Sequence, residues 1–304
     1  MNKMLMAHTA AAVAALSAGT AVVATRFVVG ETDPISLVFY RYFVSIVCFT
    51  PFLPALWPRD GLGAAEYAKI AMFGILFFVL FPWAFNASLQ YNPAARGAVG
   101  LATIPIQTLL VAAFFGRERM TSAKVAGVLL AFSGISIAFG AAAIGNGNAV
   151  YFHGDLLMLL SVLCAAVYSV FARPTLMRHG PLFVTALGMA SAVLVLAPVV
   201  VAKSGGFVIP AFTVQGWIAV AFLGTFAGAL QFSLFMWALR WLPPTTTVLY
   251  LTLNPITAMV LGIILLGEAL TFDLMAGMAL VLVGIVVGNG LHSPQKWAAS
   301  GEKS

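Results

Sequence analysis

Apolar positions fill this chain in long runs, and polar positions gather in the short gaps between them. Ten runs of about 20 residues stand out, near 7–29, 34–56, 68–90, 94–115, 122–141, 155–173, 181–202, 215–240, 244–266 and 272–290. A run of that length crosses the ~30 Å hydrocarbon core as an α-helix, because a helix satisfies its backbone hydrogen bonds within the segment. Turn-forming pairs mark several gaps, as at Asp33-Pro34, Trp57-Pro58, Gly180-Pro181 and Pro243-Pro244. The gaps leave no room for a soluble domain, and the chain after Leu291 is a polar tail.

Composition agrees with the pattern. The chain has 304 residues, 62% hydrophobic and 8% charged, against about 25% charged in an ordinary soluble domain. One water-soluble core of this size cannot hide so much apolar surface. The amino terminus, with Lys3 ahead of an apolar run, has the outline of a secretory signal. However, the run continues to about Val29, long enough to span, and has a counterpart later in the chain.

Charge adds orientation. With a cytoplasmic amino terminus, one side of the membrane holds Lys3, Arg59, Lys69, Arg117, Arg119, Lys124, Arg173, Arg178, Arg240, Lys296 and Lys303, and the other only Arg26, Arg96 and Lys203. That asymmetry places both termini in the cytoplasm. The net charge of +6 is spread between apolar runs rather than along one face, which argues against nucleic acid as a partner.

A shift of 150 residues aligns 93–135 with 243–285 without a gap and gives eleven identities, among them Pro93/Pro243, Pro105/Pro255, Glu118/Glu268, Thr121/Thr271 and Gly134/Gly284. A weaker match at a shift of 147 pairs Arg26 with Arg173 and Pro34 with Pro181. The chain therefore reads as two repeats of five spans. An odd number of spans turns the second repeat upside down, so only the cytoplasmic copy of the Glu-x-x-Thr turn carries the arginines Arg117 and Arg119. The expected fold is an all-α integral membrane protein of ten transmembrane helices in two inverted five-helix repeats. The first repeat covers 1–145, the second 150–290, and a cytoplasmic tail 291–304. Inverted repeats are a hallmark of secondary transporters.

The paired cassettes, a mid-span proline followed by Gly116-Arg117-Glu118-Arg119-Met120-Thr121 or by Gly267-Glu268-Ala269-Leu270-Thr271 and then a glycine-rich helix, resemble the EamA-type transporters of the drug/metabolite transporter superfamily. Phe39-Tyr40-Arg41-Tyr42-Phe43 is similar to that family's Arg-aromatic signature on the second helix, and Gly154-Asp155-Leu156 through Tyr168 and Arg173 to its sixth. The chain departs from the family where Trp is usual in the first and sixth helices, having Ser17 and Cys164 near those positions. The resemblance implies a central cavity lined by helices one to four and six to nine, with five and ten peripheral. It also implies export of amino acids and related metabolites, or uptake of a vitamin or other nutrient in some members.

Polar residues inside spans are the candidates for a solute path, because a polar face toward lipid is costly. Arg96, Gly100, Thr103 and Gln107 share one face of the fourth span; Thr246, Tyr250, Asn254 and Thr257 lie along the ninth; Trp83, Asn86 and Gln90 share a face of the third. The same residues can instead join helices by hydrogen bonds. Arg41 lies about seven residues into the second span, with Tyr40 and Tyr42 beside it. Cavity candidates are thus Arg41, Trp83, Asn86, Gln90, Thr103, Gln107, Tyr168, Tyr250, Asn254 and Thr257, with Pro105 and Pro255 as hinges. Glu118 and Glu268, at span ends, are expected to be structural. Gly127, Gly134, Gly277 and Gly284 are expected to permit close helix packing.

Several classes fall away. The four histidines and two cysteines show no metal-ligand spacing, and no phosphate-binding Gly-rich loop is present. No cofactor is expected, and no nucleophile or acid/base cluster marks an enzyme. The expected function is secondary transport of small amino-acid-like or amphiphilic metabolites across a bacterial inner membrane, with efflux as the direction. The partners are the solute and membrane lipid; a homodimer is compatible with the sequence.

Overall fold

The computed structural model describes residues 3–57, 61–117, 121–144, 149–204, 212–242, 247, 250–267 and 271–289. Among them every regular element is helical. We number ten membrane helices: α1 (Lys3–Val28), α2 (Pro34–Leu56), α3 (Ala64–Tyr91), α4 in two pieces (Ala94–Leu101 and Ile104–Phe114), α5 (Ser122–Ile144), α6 (Ala149–Phe171), α7 (Pro181–Ser204), α8 (Val214–Trp241), α9 (Leu253–Leu266) and α10 (Phe272–Asn289). A short helix, Arg173–His179, joins α6 to α7. Seven of the ten combine enough length and hydropathy to span on their own; α5, α9 and α10 have shorter apolar windows or lengths among the described residues.

The ends follow local chemistry. Asp33 caps α2, accepting from the Ile35 and Ser36 amides at 3.1 and 3.3 Å, and Pro34 fills the first helical position, where no amide donor is needed. Lys203, at the end of α7, reaches the same carboxylate at 3.0 Å. Burial pushes the Asp33 carboxyl upward, but the Ser36 and Lys203 hydrogen bonds outweigh it and hold it below its ordinary value. Gly116 and Gly267 end α4 and α9 with φ of 67° and 64°, a left-handed conformation that glycine adopts without strain.

Contacts between connections show that successive helices alternate in direction. At one end Asp33 meets Lys203, Glu31 meets Thr213, Arg26 donates to Leu89 O at 2.8 Å, and Arg96 forms a two-pronged ion pair with Asp155 (Nε–Oδ1 2.8 Å, Nη2–Oδ2 2.5 Å). At the other end Glu66 meets Arg178 and His179, Arg117 donates to Val170 O at 3.0 Å, and Lys3 lies over the Trp241 ring. The flanks of the bundle carry fully apolar exposed side chains such as Leu129 (63%), Leu194 (74%) and Ile264 (69%). Only lipid makes such a surface stable.

The repeat is visible in the packing. α5 and α10 pair with each other through reciprocal glycine crossings. A Cβ on Gly134 would sit 2.5 Å from Gly277 O, and one on Gly284 would sit 2.6 Å from Gly127 O. These are the glycines read as packing residues, and positions 127 and 134 correspond to 277 and 284 under the 150-residue shift. Each repeat also carries a π-helical turn at the same place, Leu76–Leu80 in α3 and Thr225–Leu230 in α8. The two helices whose prolines correspond under the 150-residue shift, α4 and α9, are irregular just ahead of that proline. α4 is interrupted at Ala102-Thr103 before Pro105, and a 3-10 turn at Tyr250–Thr252 precedes Pro255. A proline removes one backbone donor and displaces the carbonyl a turn earlier, which accounts for both breaks.

Candidate functional site

Helices α1, α2, α3, α4, α6, α8 and α9 line a small cavity, about 70 Å³, near the middle of the bundle. Small residues of α1 and α6 (Ala18, Ala21, Ala165) open the space, and Phe77, Phe81 and Phe85 of α3 with Phe232 and Phe235 of α8 supply an aromatic wall. Ser17 and Cys164, the positions where the family usually has Trp, stand directly beside Ala18 and Ala165. Among the described residues α5 and α10 contribute no lining residue, in keeping with the peripheral place the resemblance implied. Neither does α7, which packs behind α2 and α3.

Three polar side chains reach this wall with unpaired atoms. Arg41 is 5% exposed; its Nη2 donates to Ala227 O at 2.7 Å, inside the π turn of α8, and its guanidinium lies 5.7 Å from the Phe232 ring centre. The turn makes this possible, because a π turn shifts the backbone bonding pattern and can leave a carbonyl available to a side chain. Ser45, one turn along α2, bonds Gly224 O at 2.7 Å and holds the same approach. Arg41 Nε, Gln231 Oε1 and Asn254 Oδ1 are buried without a hydrogen-bond partner among the described residues. Such groups are few in folded proteins and cost stability, so three around one cavity are informative. Among the described residues the cavity wall includes no carboxylate.

The remaining candidates lie elsewhere. Asn86 donates to Pro34 O at 3.4 Å and so joins α3 to the start of α2; Gln90 is exposed at the end of α3; Trp83 is half-buried beside the main core. Thr103 bonds Gly100 O at 2.7 Å within the break of α4, and Gln107 is half-buried beyond it. Tyr168 stands one layer behind the wall, stacked on Phe77 at 4.2 Å, its hydroxyl on Met236 Sδ at 3.5 Å. Tyr250 accepts or donates at His8 Nδ1, 2.9 Å away. Thr257 bonds Leu253 O and lies against Gly19 of α1. Glu118, Glu268 and Thr246 fall outside the described residues, as does the side chain of Pro255.

Sequence reasoning missed two features. Gln231 was legible as an amide in the middle of an apolar span, but its repeat counterpart at 81 is Phe, so the repeat gave it no emphasis. The Arg96–Asp155 pair, with Asn92 Nδ2 also on Asp155 Oδ1 at 3.0 Å, joins residues 59 apart in sequence and bridges the two repeats.

The comparisons bear on the whole bundle. A family model described as the EamA-like transporter family matches the chain twice, over residues 5–140 and 152–289. The chain belongs to the EamA-like transporter family. This EamA-like chain is a multi-span membrane transporter. It is 25% identical over 272 residues, 88% of its length and 93% of the relative's, to a protein named uncharacterized transporter from Archaeoglobus fulgidus. It is 27% identical over 226 residues, 74% of each chain, to a probable terminal-alkyne amino-acid exporter from Streptantibioticus cattleyicolor. A solved crystal structure superposes with a TM-score of 0.63 at 22% identity, covering 94% of this chain and 96% of the other, which speaks for the fold.

Proposed function

We propose that this EamA-like protein is a secondary transporter that exports amino-acid-like zwitterions with an apolar or aromatic side chain, by alternating access. The observation that carries the reading is the set of unpaired buried atoms around one aromatic cavity: a guanidinium donor on Arg41 and amide acceptors on Gln231 and Asn254. A carboxylate on the solute would complete Arg41, and an ammonium would complete the two amides. The solute side chain would lie among the phenylalanines, where an apolar group gains by leaving water. The relative named a probable terminal-alkyne amino-acid exporter supports both solute class and direction. A membrane orientation with cytoplasmic termini rests on the basic-residue asymmetry.

Counterflow in proteoliposomes tests the solute class. Phenylalanine or leucine loaded inside should drive uptake of the labelled amino acid. Because a charged hydrogen bond contributes ~1.5–3 kcal/mol, removing either the carboxylate or the ammonium of the solute should weaken exchange by about tenfold or more. Equal counterflow by the amine lacking a carboxylate would exclude the pairing with Arg41. In cells, deletion of the gene should raise the retained level of the same solute; a lowered level would reverse the direction to uptake.

A further inference from the structure

A second cavity, of about 430 Å³, opens on the flank of the bundle between α2, α7 and α8. It is distinct from the central one and nearly all apolar. Phe52 and Leu56 of α2, Leu182 of α7, and Thr225, Ala229 and Leu230 of α8 form most of its lining. Phe52 is 62% exposed and Leu230 43%, so the groove is continuous with the surface that faces lipid. From Leu56 to Cys48 it descends roughly 12 Å at 1.5 Å per residue, close to the depth of one leaflet, about half of a ~30 Å core.

Its shallow end carries the marks of a membrane interface. Trp57 follows Leu56 and packs on Phe183 and Tyr67 at 5.6 and 6.3 Å, an aromatic group of the kind enriched at headgroup level. Arg178, its side chain 71% exposed, and His179 lie just before Leu182, and Lys69 acts on the same Glu66 carboxylate that they contact. That end is therefore cationic and suits a phosphate. The deep end rests on Thr225, Ala229 and Leu230 of the α8 π turn, whose Ala227 carbonyl holds Arg41.

We infer that this groove seats one acyl chain of a membrane phospholipid, from the leaflet on the side of the α2–α3 connection, with its headgroup at Arg178. The inference needs only the placement of the bundle in a bilayer and stands apart from the solute reading. It differs from general lipid contact because the groove is a concave slot ending on the π turn, and the exposed Leu129 of α5 and Leu194 of α7 lie outside its lining.

The test uses the full-length protein in detergent with a phosphatidylglycerol carrying a diazirine on its acyl chain. Intact mass should show one saturable adduct per chain, and peptide mapping should place it on residues 48–56 and 225–233. Ala55→Trp, at an exposed position on the groove wall, should lower the yield several-fold while the elution profile of the protein is unchanged. Adducts spread equally over the peptides of Leu129 and Leu194 would overturn the assignment, and need no variant to detect. So would an adduct yield unchanged in A55W, or displacement of the lipid by excess free amino acid, which would assign the groove to the solute route.

Discussion

Arg41 shows how a residue nominated for its charge inside a span is accommodated by the fold. A guanidinium in a span costs several kcal/mol unless something compensates. In the fold the compensation is the Ala227 carbonyl at 2.7 Å with the Tyr42 and Phe232 rings nearby, while Nε stays unpaired beside the cavity. Lysine cannot offer one donor to a helix carbonyl and another, at a fixed angle, to a solute. Arg41→Lys should therefore lower transport by about tenfold, a change of ~1.4 kcal/mol, at normal membrane expression. Full activity in R41K proteoliposomes would take Arg41 out of the binding site. Gln231→Leu offers an independent check on the acceptor side. It removes a buried unpaired oxygen, so we expect thermal stability to hold or rise while counterflow falls.

At the scale of elements, periodicity located the helices, and two local irregularities then decided which faces matter. The π turns in α3 and α8 each insert a residue into the helical phase. Phe77, Phe81 and Phe85 thereby reach the cavity, while the Trp83, Asn86 and Gln90 face serves α2, the core edge and the helix end. A regular 3.6-residue reading carries no sign of such a turn in α8, which has no proline in it. The glycines of α5 and α10, in contrast, were legible, because a repeated glycine spacing in a lipid-soluble helix calls for a close neighbour. Gly134→Leu would drive a side chain into Gly277 O and Val281. It should destabilise the protein by ~1–3 kcal/mol, read as a lower melting temperature in detergent, whereas Leu129→Phe on the exposed face of the same helix should change little.

For the whole molecule, alternation of helix direction follows from the contacts at each end, and the asymmetry of basic residues predicts which end faces the cytoplasm. Arg178 and Lys203 mark opposite ends of α7, with side chains 71% and 50% exposed. In a variant free of Cys48 and Cys164, a membrane-impermeant maleimide added to intact cells should label Lys203→Cys and leave Arg178→Cys untouched. The opposite pattern would invert the bundle.

Long apolar runs and a 150-residue echo suffice to determine the spans and the repeat, because bilayer thickness and backbone satisfaction act on each segment separately. The polar candidates were partly legible for the same reason: a polar side chain in lipid must turn inward, so Arg41 and Asn254 could be nominated one helix at a time. Which inward residues share a cavity is another matter. Arg41 meets Ala227 across 186 positions, Asp155 meets Arg96 across 59, and Gln231 and Asn254 meet Arg41 only around a space that seven helices enclose. Periodicity fixes a side chain's angle on its own helix, but the rotation and depth of that helix against its neighbours come from packing, and packing exists only once all of them are in place.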